Sequence, residues 1–165
     1  MAKAYSLAGL LFIREFRVDA AAKAVSVAEA LLRDAEAAHS RRQEEHATYR
    51  KWRGEETERR YFGIMEQNLS LDELDQFKIE LAMLVHEELQ KEAAVRDAAH
   101  ALAAAREKVA VARTSWREAD RERQKILYHR DEWQKESVRA EAHQEDLEME
   151  EFKPVLFVAE AEVEE

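Results

Sequence analysis

The sequence predicts an all-α protein, a long antiparallel two-helix coiled-coil hairpin whose second helix is longer than its first. Three observations predict it. From Leu74 to Leu147 a run of 22 positions on alternating three- and four-residue steps is apolar at 16 of them, and no Gly or Pro interrupts it. A mean step of 3.5 residues keeps one seam of a helix facing a partner. The 165 residues contain only three Gly and one Pro, so the chain lacks corner residues and is built from few, long elements. Finally, Ser70 and Glu73 form an S-x-x-E helix start just before the heptads begin, which places a single break near the middle.

The elements follow in order. A first helix is expected from about residue 7 to about 66, a turn at about 67–70 and a second helix over about 71–152, so that 1–153 make one hairpin domain. The first seam reads Leu7, Leu11, Arg14, Val18, Ala21, Val25, Ala28, Leu32, Ala35, His39, Arg42, His46, Tyr49. Its small residues let a partner helix approach closely. Gly54 and Gly63 each cost ~1 kcal/mol against Ala in a helix interior, so the far end of this helix is expected to fray. At ~1.5 Å per residue the second heptad run spans about 110 Å.

Turning back near residue 69 pairs position i with roughly 138 − i, placing Leu11 near Leu127 and Val18 near Asp120. The second helix then overhangs the first. Its seam agrees: after Ala119 one heptad column turns polar (Arg123, Arg130, Ser137, Gln144) while the other stays apolar (Ile126, Trp133, Ala140, Leu147). Glu88 and Lys91 make a second polar gap, expected to loosen the pairing locally. Pro154 is expected to end the second helix, since it lacks an N–H and restricts the residue before it. Residues 154–165 then form an acidic, flexible tail. A continuous helix in a parallel dimer is the alternative to a hairpin. The hairpin itself predicts a monomer in isolation.

Composition excludes several classes of function. Net charge is −10, and residues 141–165 carry ten acidic residues against Lys153 alone, leaving the rest nearly neutral with interleaved signs. Without a one-sided basic stripe, nucleic acid is not an expected partner. The short apolar stretch Leu7, Leu10, Leu11, Phe12, Ile13 is cut off by Arg14, Glu15 and Arg17, far below the ~20 apolar residues of a membrane span, so direct membrane insertion is not expected. Zero Cys removes disulfides and thiolate metal sites and fits a cytoplasmic protein.

No G-x-x-x-x-G-K-[ST] loop is present, and the six His show no H-E-x-x-H spacing. His39 and His46 are seven apart, and polar seam positions explain them more simply than a shared ligand. Carboxylate pairs such as Glu44/Glu45 lack the concave, desolvated pocket that acid–base work requires. No catalytic, cofactor-binding or metal-binding residue is expected, and the protein is read as a non-enzyme.

Partner binding is the remaining chemistry. Trp52, Tyr61, Phe62, Ile64, Met65, Leu69 and Leu71 crowd a short stretch around the break, either packing on Leu74 and Phe77 as a cap or forming an apolar patch for a partner. Trp116 sits on the seam and reads as core. Trp133 sits in the overhang, placed to dock.

These features resemble a known family. The opening Leu10-Leu11-Phe12-Ile13-Arg14-Glu15-Phe16-Arg17-Val18-Asp19, followed by Ala-rich heptads, is similar to the N-terminus of the type III secretion stalk proteins called YscO or SctO, to which the flagellar FliJ proteins are distantly related. The segment from His129 to Glu136, containing Glu132-Trp133 and followed by Glu141, Glu145 and Asp146, looks like that family's Glu-Trp region and acidic end. Val155 to Glu165 has no counterpart in the family pattern.

The resemblance implies a non-catalytic stalk shaped like the shaft of rotary ATPases. Such a stalk inserts into the hexameric secretion ATPase ring, links it to the export gate, and in some members holds chaperones. It would lie in the cytoplasm beside a bacterial inner-membrane export apparatus. On that basis Arg14, Arg17, Arg121, Arg123, Arg130, Glu132 and Trp133 are expected to face the ATPase. Trp52, Tyr61, Phe62, Ile64, Met65 and Leu69, near the turn, are expected to face the gate or a chaperone. A coiled-coil adaptor or chaperone-like clamp unrelated to secretion is the competing reading.

Overall fold

The computed structural model describes residues 5–161, with side chains described as far as Glu150. It is an antiparallel helical hairpin of two elements, α1 (Ala8–Met65) and α2 (Leu71–Ala161), joined by residues 66–70. Helix α2 is 91 residues long against 58 for α1.

The connection is short because its chemistry closes both ends. The Gln67 amide donates to the Ile64 carbonyl at 3.1 Å, ending α1. At the start of α2 the Ser70 amide donates to Glu73 Oε2 at 2.8 Å, while the Glu73 amide donates to Ser70 Oγ at 3.3 Å. This is a reciprocal capping box, satisfying two amides that the first turn would otherwise leave unbonded. Those bonds to Ser70 hold the Glu73 carboxyl below its ordinary pKa.

The heptad seam is the buried stripe. Leu11, Val18 and Ala28 of α1 and Leu84, Leu102, Ala105 and Val109 of α2 form the apolar core. Of the first-helix seam only Arg42 is exposed. Along α2 every seam position from Leu74 to Ser137 is buried or half-buried except Trp116, and Ala140, Gln144 and Leu147 are exposed. Trp116 is thus a correction to its reading as core: it is 38% exposed. A two-helix seam is one side chain deep, so an indole cannot be enclosed from all sides.

The chain divides into two compact units, one made of residues up to Ala22 with those from Ser115 on, the other of Lys23–Thr114. In the first, Arg14 pairs with Glu122 at 3.6 Å. In the second, Arg113 pairs with Glu29 at 2.6 Å and Arg106 with Glu36 at 4.0 Å. Within each unit these ion pairs fall within four positions of the i and 138 − i rule, and Tyr61 with Phe77 and Tyr5 with Trp133 meet it.

The two glycines expected to let α1 fray, and the proline expected to end α2, all lie within helix. Gly54 and Gly63 lie inside a continuous α1, both with ordinary helical backbone. Pro154 lies within α2, which runs on to Ala161 instead of stopping near 152. Interior proline removes one i to i−4 hydrogen bond and crowds the carbonyl four residues back, a local cost that α2 carries without ending. The expected tail therefore begins as helix as far as Ala161, and 162–165 lie outside the described residues.

Candidate partner interface

Each unit carries one of the two residue sets expected to meet partners. The connection-bearing unit holds the aromatic set. Tyr61 packs edge-on against Phe77, with centroids 5.3 Å apart and planes at 75°, and Trp52 leans on Tyr49 at 5.3 Å. Ile64 and Leu69 are half-buried. Phe62, Met65 and Leu71 are instead 74%, 78% and 82% exposed. The set splits accordingly: Tyr61 contributes to the cap that closes the seam, while Phe62, Met65 and Leu71 present apolar surface to solvent. Such exposure costs solubility and marks contact surfaces.

Below that set lies the polar gap at Glu88 and Lys91, occupied by a network the sequence reading did not find. Tyr49 Oη donates to the Leu84 carbonyl at 3.2 Å or to Glu87 Oε2 at 3.0 Å. The Lys91 ammonium sits 5.1 Å from the Tyr49 ring centroid. Glu88 pairs with Arg53, and with Arg50 at 4.0 Å. Burial, reinforced by the Glu87 carboxylate, pushes the Tyr49 phenol up to about 12. The gap is thus tied across the seam rather than left open. One hint was legible: Tyr49 is a seam position, and aromatic rings accept a cation over their face.

Nearby, Glu56 is buried and pairs with Arg59 and with Arg60, the latter at 2.7 Å; Arg60 also reaches Glu80 at 3.2 Å. The hydrogen bond from Arg60, more than any other influence, holds the Glu56 carboxyl below its ordinary pKa.

The unit with the paired termini holds the charged set. Arg14 and Arg123 are half-buried on the seam, and Arg123 pairs with Asp120 at 2.5 Å. The Nε atoms of both arginines are buried with no hydrogen-bond partner among the described residues. Arg130, also half-buried, meets Asp131 at 3.7 Å, while Arg17 and Arg121 are exposed. Glu132 binds Lys135 at 2.7 Å, which lowers the Glu132 pKa, and Lys125 does the same for Glu122.

Trp133 is not free. Tyr5 stacks against it at 5.3 Å and a tilt of 52°, and Tyr5 Oη lies 3.0 Å from His129 Nδ1. Tyr5 and His129 were absent from the candidate set. Their signal in the sequence is the pairing rule itself, which puts position 5 opposite 133.

Beside both sets, open grooves lie along the helices. Among the described residues no group of three or more acidic, His or Cys side chains is placed to hold a metal ion, and His39 and His46 are half-buried seam positions. No helix is long and apolar enough to cross a membrane, among the described residues.

Comparison with known proteins turns this arrangement into a family. The model of the type III secretion protein YscO matches residues 7–155. The chain belongs to the YscO family. Its fold is similar to the crystal structure of the type III secretion protein YscO from Vibrio parahaemolyticus, with a TM-score of 0.78 at 29% identity over 87% of this chain and 90% of that one. It is also similar in fold to CT670 of Chlamydia trachomatis, a protein described as a YscO homologue, with a TM-score of 0.76 at 23% identity over 93% and 94% of the two chains. No curated protein sequence matches. Membership in the YscO family assigns the chain to type III secretion.

Proposed function

We propose that this protein is a non-catalytic central stalk of a bacterial type III secretion export apparatus. It binds the secretion ATPase ring and links that ring to the export gate, to chaperones, or to both. The observation that carries the reading is the charged seam of the unit with the paired termini. Arg14, Arg123 and Arg130 occupy helix–helix positions where leucine would pack better, each beside a carboxylate. Interleaved, exchangeable charges suit a shaft that meets successive subunits of an asymmetric ring, because an apolar shaft would lock in one orientation. The exposed Phe62, Met65 and Leu71 supply the second contact, toward gate or chaperone. The stalk works in the cytoplasm beside the inner membrane.

The test is ATPase stimulation by the chain carrying Glu at Arg14, Arg17, Arg121 and Arg123, with helicity checked by circular dichroism. Loss of stimulation with helices intact supports the ring contact; undiminished stimulation defeats it. The exposed apolar trio also fits a chaperone-like clamp. Native mass spectrometry with the cognate ATPase separates the two, since a stalk binds one copy per hexamer and a clamp shows no dependence on the ring.

A further inference from the structure

Past Ser137 the seam of α2 goes on without α1. The apolar column Trp133, Ala140, Leu147 and the polar column Ser137, Gln144 keep their heptad spacing, yet Ala140, Gln144 and Leu147 are exposed, Leu147 by 48%. A shallow groove runs here, lined by Trp133, Ser137, Ala140 and Gln144 with Glu136 and Glu141 at its margins. This is half of a coiled coil.

The flanks say what completes it. In a coiled coil the positions beside the seam choose the partner by charge. Here they are Gln134, Glu141 and Glu148 on one side and Glu136, His143 and Glu150 on the other, all exposed. We propose that residues 133–150 of α2 dock a basic amphipathic helix of another protein, one with an apolar stripe bordered by Lys or Arg. A second copy of this chain is a poor occupant, because it would set glutamates against glutamates at both margins. The seam's small and polar positions also favour heterotypic pairing over a self-adhesive leucine stripe. The surface follows the charged set along the chain, and the proposal stands whether or not that set meets an ATPase.

The experiment uses the full chain with Trp52→Phe and Trp116→Phe, so that Trp133 alone reports. Three synthetic peptides of about three heptads serve as probes: one with an Ile/Leu stripe flanked by Lys, one with the same stripe flanked by Glu, and one with the Lys peptide's composition in shuffled order. The Lys-flanked peptide is expected to shift Trp133 emission to the blue, to bind at least about tenfold tighter than either of the others, and to weaken steeply with salt. Substituting Glu136→Lys, Glu141→Lys and Glu148→Lys together should reverse the preference between Lys and Glu flanks. Leu147→Ser should weaken the Lys-flanked peptide by roughly tenfold without reversing anything. Equal binding of the shuffled peptide would reduce the surface to unspecific acidity and overturn the proposal. So would an unreversed preference in the charge-swapped chain, or a peptide-free dimer lost on Leu147→Ser.

Discussion

The Tyr5 ring rests on Trp133, centroids 5.3 Å apart, while its hydroxyl lies 3.0 Å from His129 Nδ1. Tyr5, three residues ahead of α1, thereby ties the segment before the first helix to α2. An aromatic pair of this kind contributes ~0.5–1.5 kcal/mol beyond its buried area. Tyr5→Ala should therefore lower stability by about 1 kcal/mol or somewhat more and move Trp133 emission to the red, read in a chain with the other two tryptophans replaced. Tyr5→Phe should retain most of the stability, because the stacking survives.

Glycines inside α1 offer the opposite sign. A Cβ added at Gly54 or Gly63 meets open space, and neither residue has a positive φ. Gly54→Ala and Gly63→Ala should each stabilise the hairpin by ~0.5–1 kcal/mol, additively, in urea unfolding.

The capping box predicts a response to acid. Ser70→Ala should cost ~1 kcal/mol. Glu73 has a folded pKa below its ordinary 4.5, so its contribution is complete above that value and disappears as pH falls through the folded one. The stability difference between the native chain and Glu73→Gln should accordingly shrink as unfolding is measured at successively lower pH below 4.5.

Tyr49 predicts a response to alkali. Its phenol ionises near 12 in the folded chain against 10.0 otherwise, so the folded state holds the proton more tightly. That stability is fully present below pH 10 and is lost as pH rises toward 12. Ultraviolet absorbance at native conditions should show a late phenol step, and Tyr49→Phe should remove it.

Arg14 separates function from stability. Its Nε is buried without a hydrogen bond, and Glu122 would keep Lys125 at 2.6 Å if Arg14 were replaced. Arg14→Leu should raise stability, on the order of 1 kcal/mol in denaturant unfolding, while weakening the ATPase stimulation proposed for the charged set.

The hairpin was legible because its determinants are periodic and local. The seam positions from Leu74 to Ser137 could be read off as a column, and the start of α2 off Ser70 and Glu73. What escaped was whatever depends on competition between weak terms. Proline breaks helices on average, yet α2 runs through Pro154 to Ala161. Trp116 is apolar and on the seam, yet too large for a single-layer core. In the expected partner sets, type and spacing singled out Arg14, Trp133 and Phe62 but not which of them are covered. Tyr5 over Trp133 and Arg53 against Glu88 are pairings across the hairpin, visible only once the register is known.

That register has an evolutionary consequence. One five-residue link, 66–70, sets the phase of both arms. A lone insertion in either arm rotates everything beyond it off the shared stripe. Relatives of different size should therefore differ by mirrored gains or losses, in heptad multiples, at matching distances from the link.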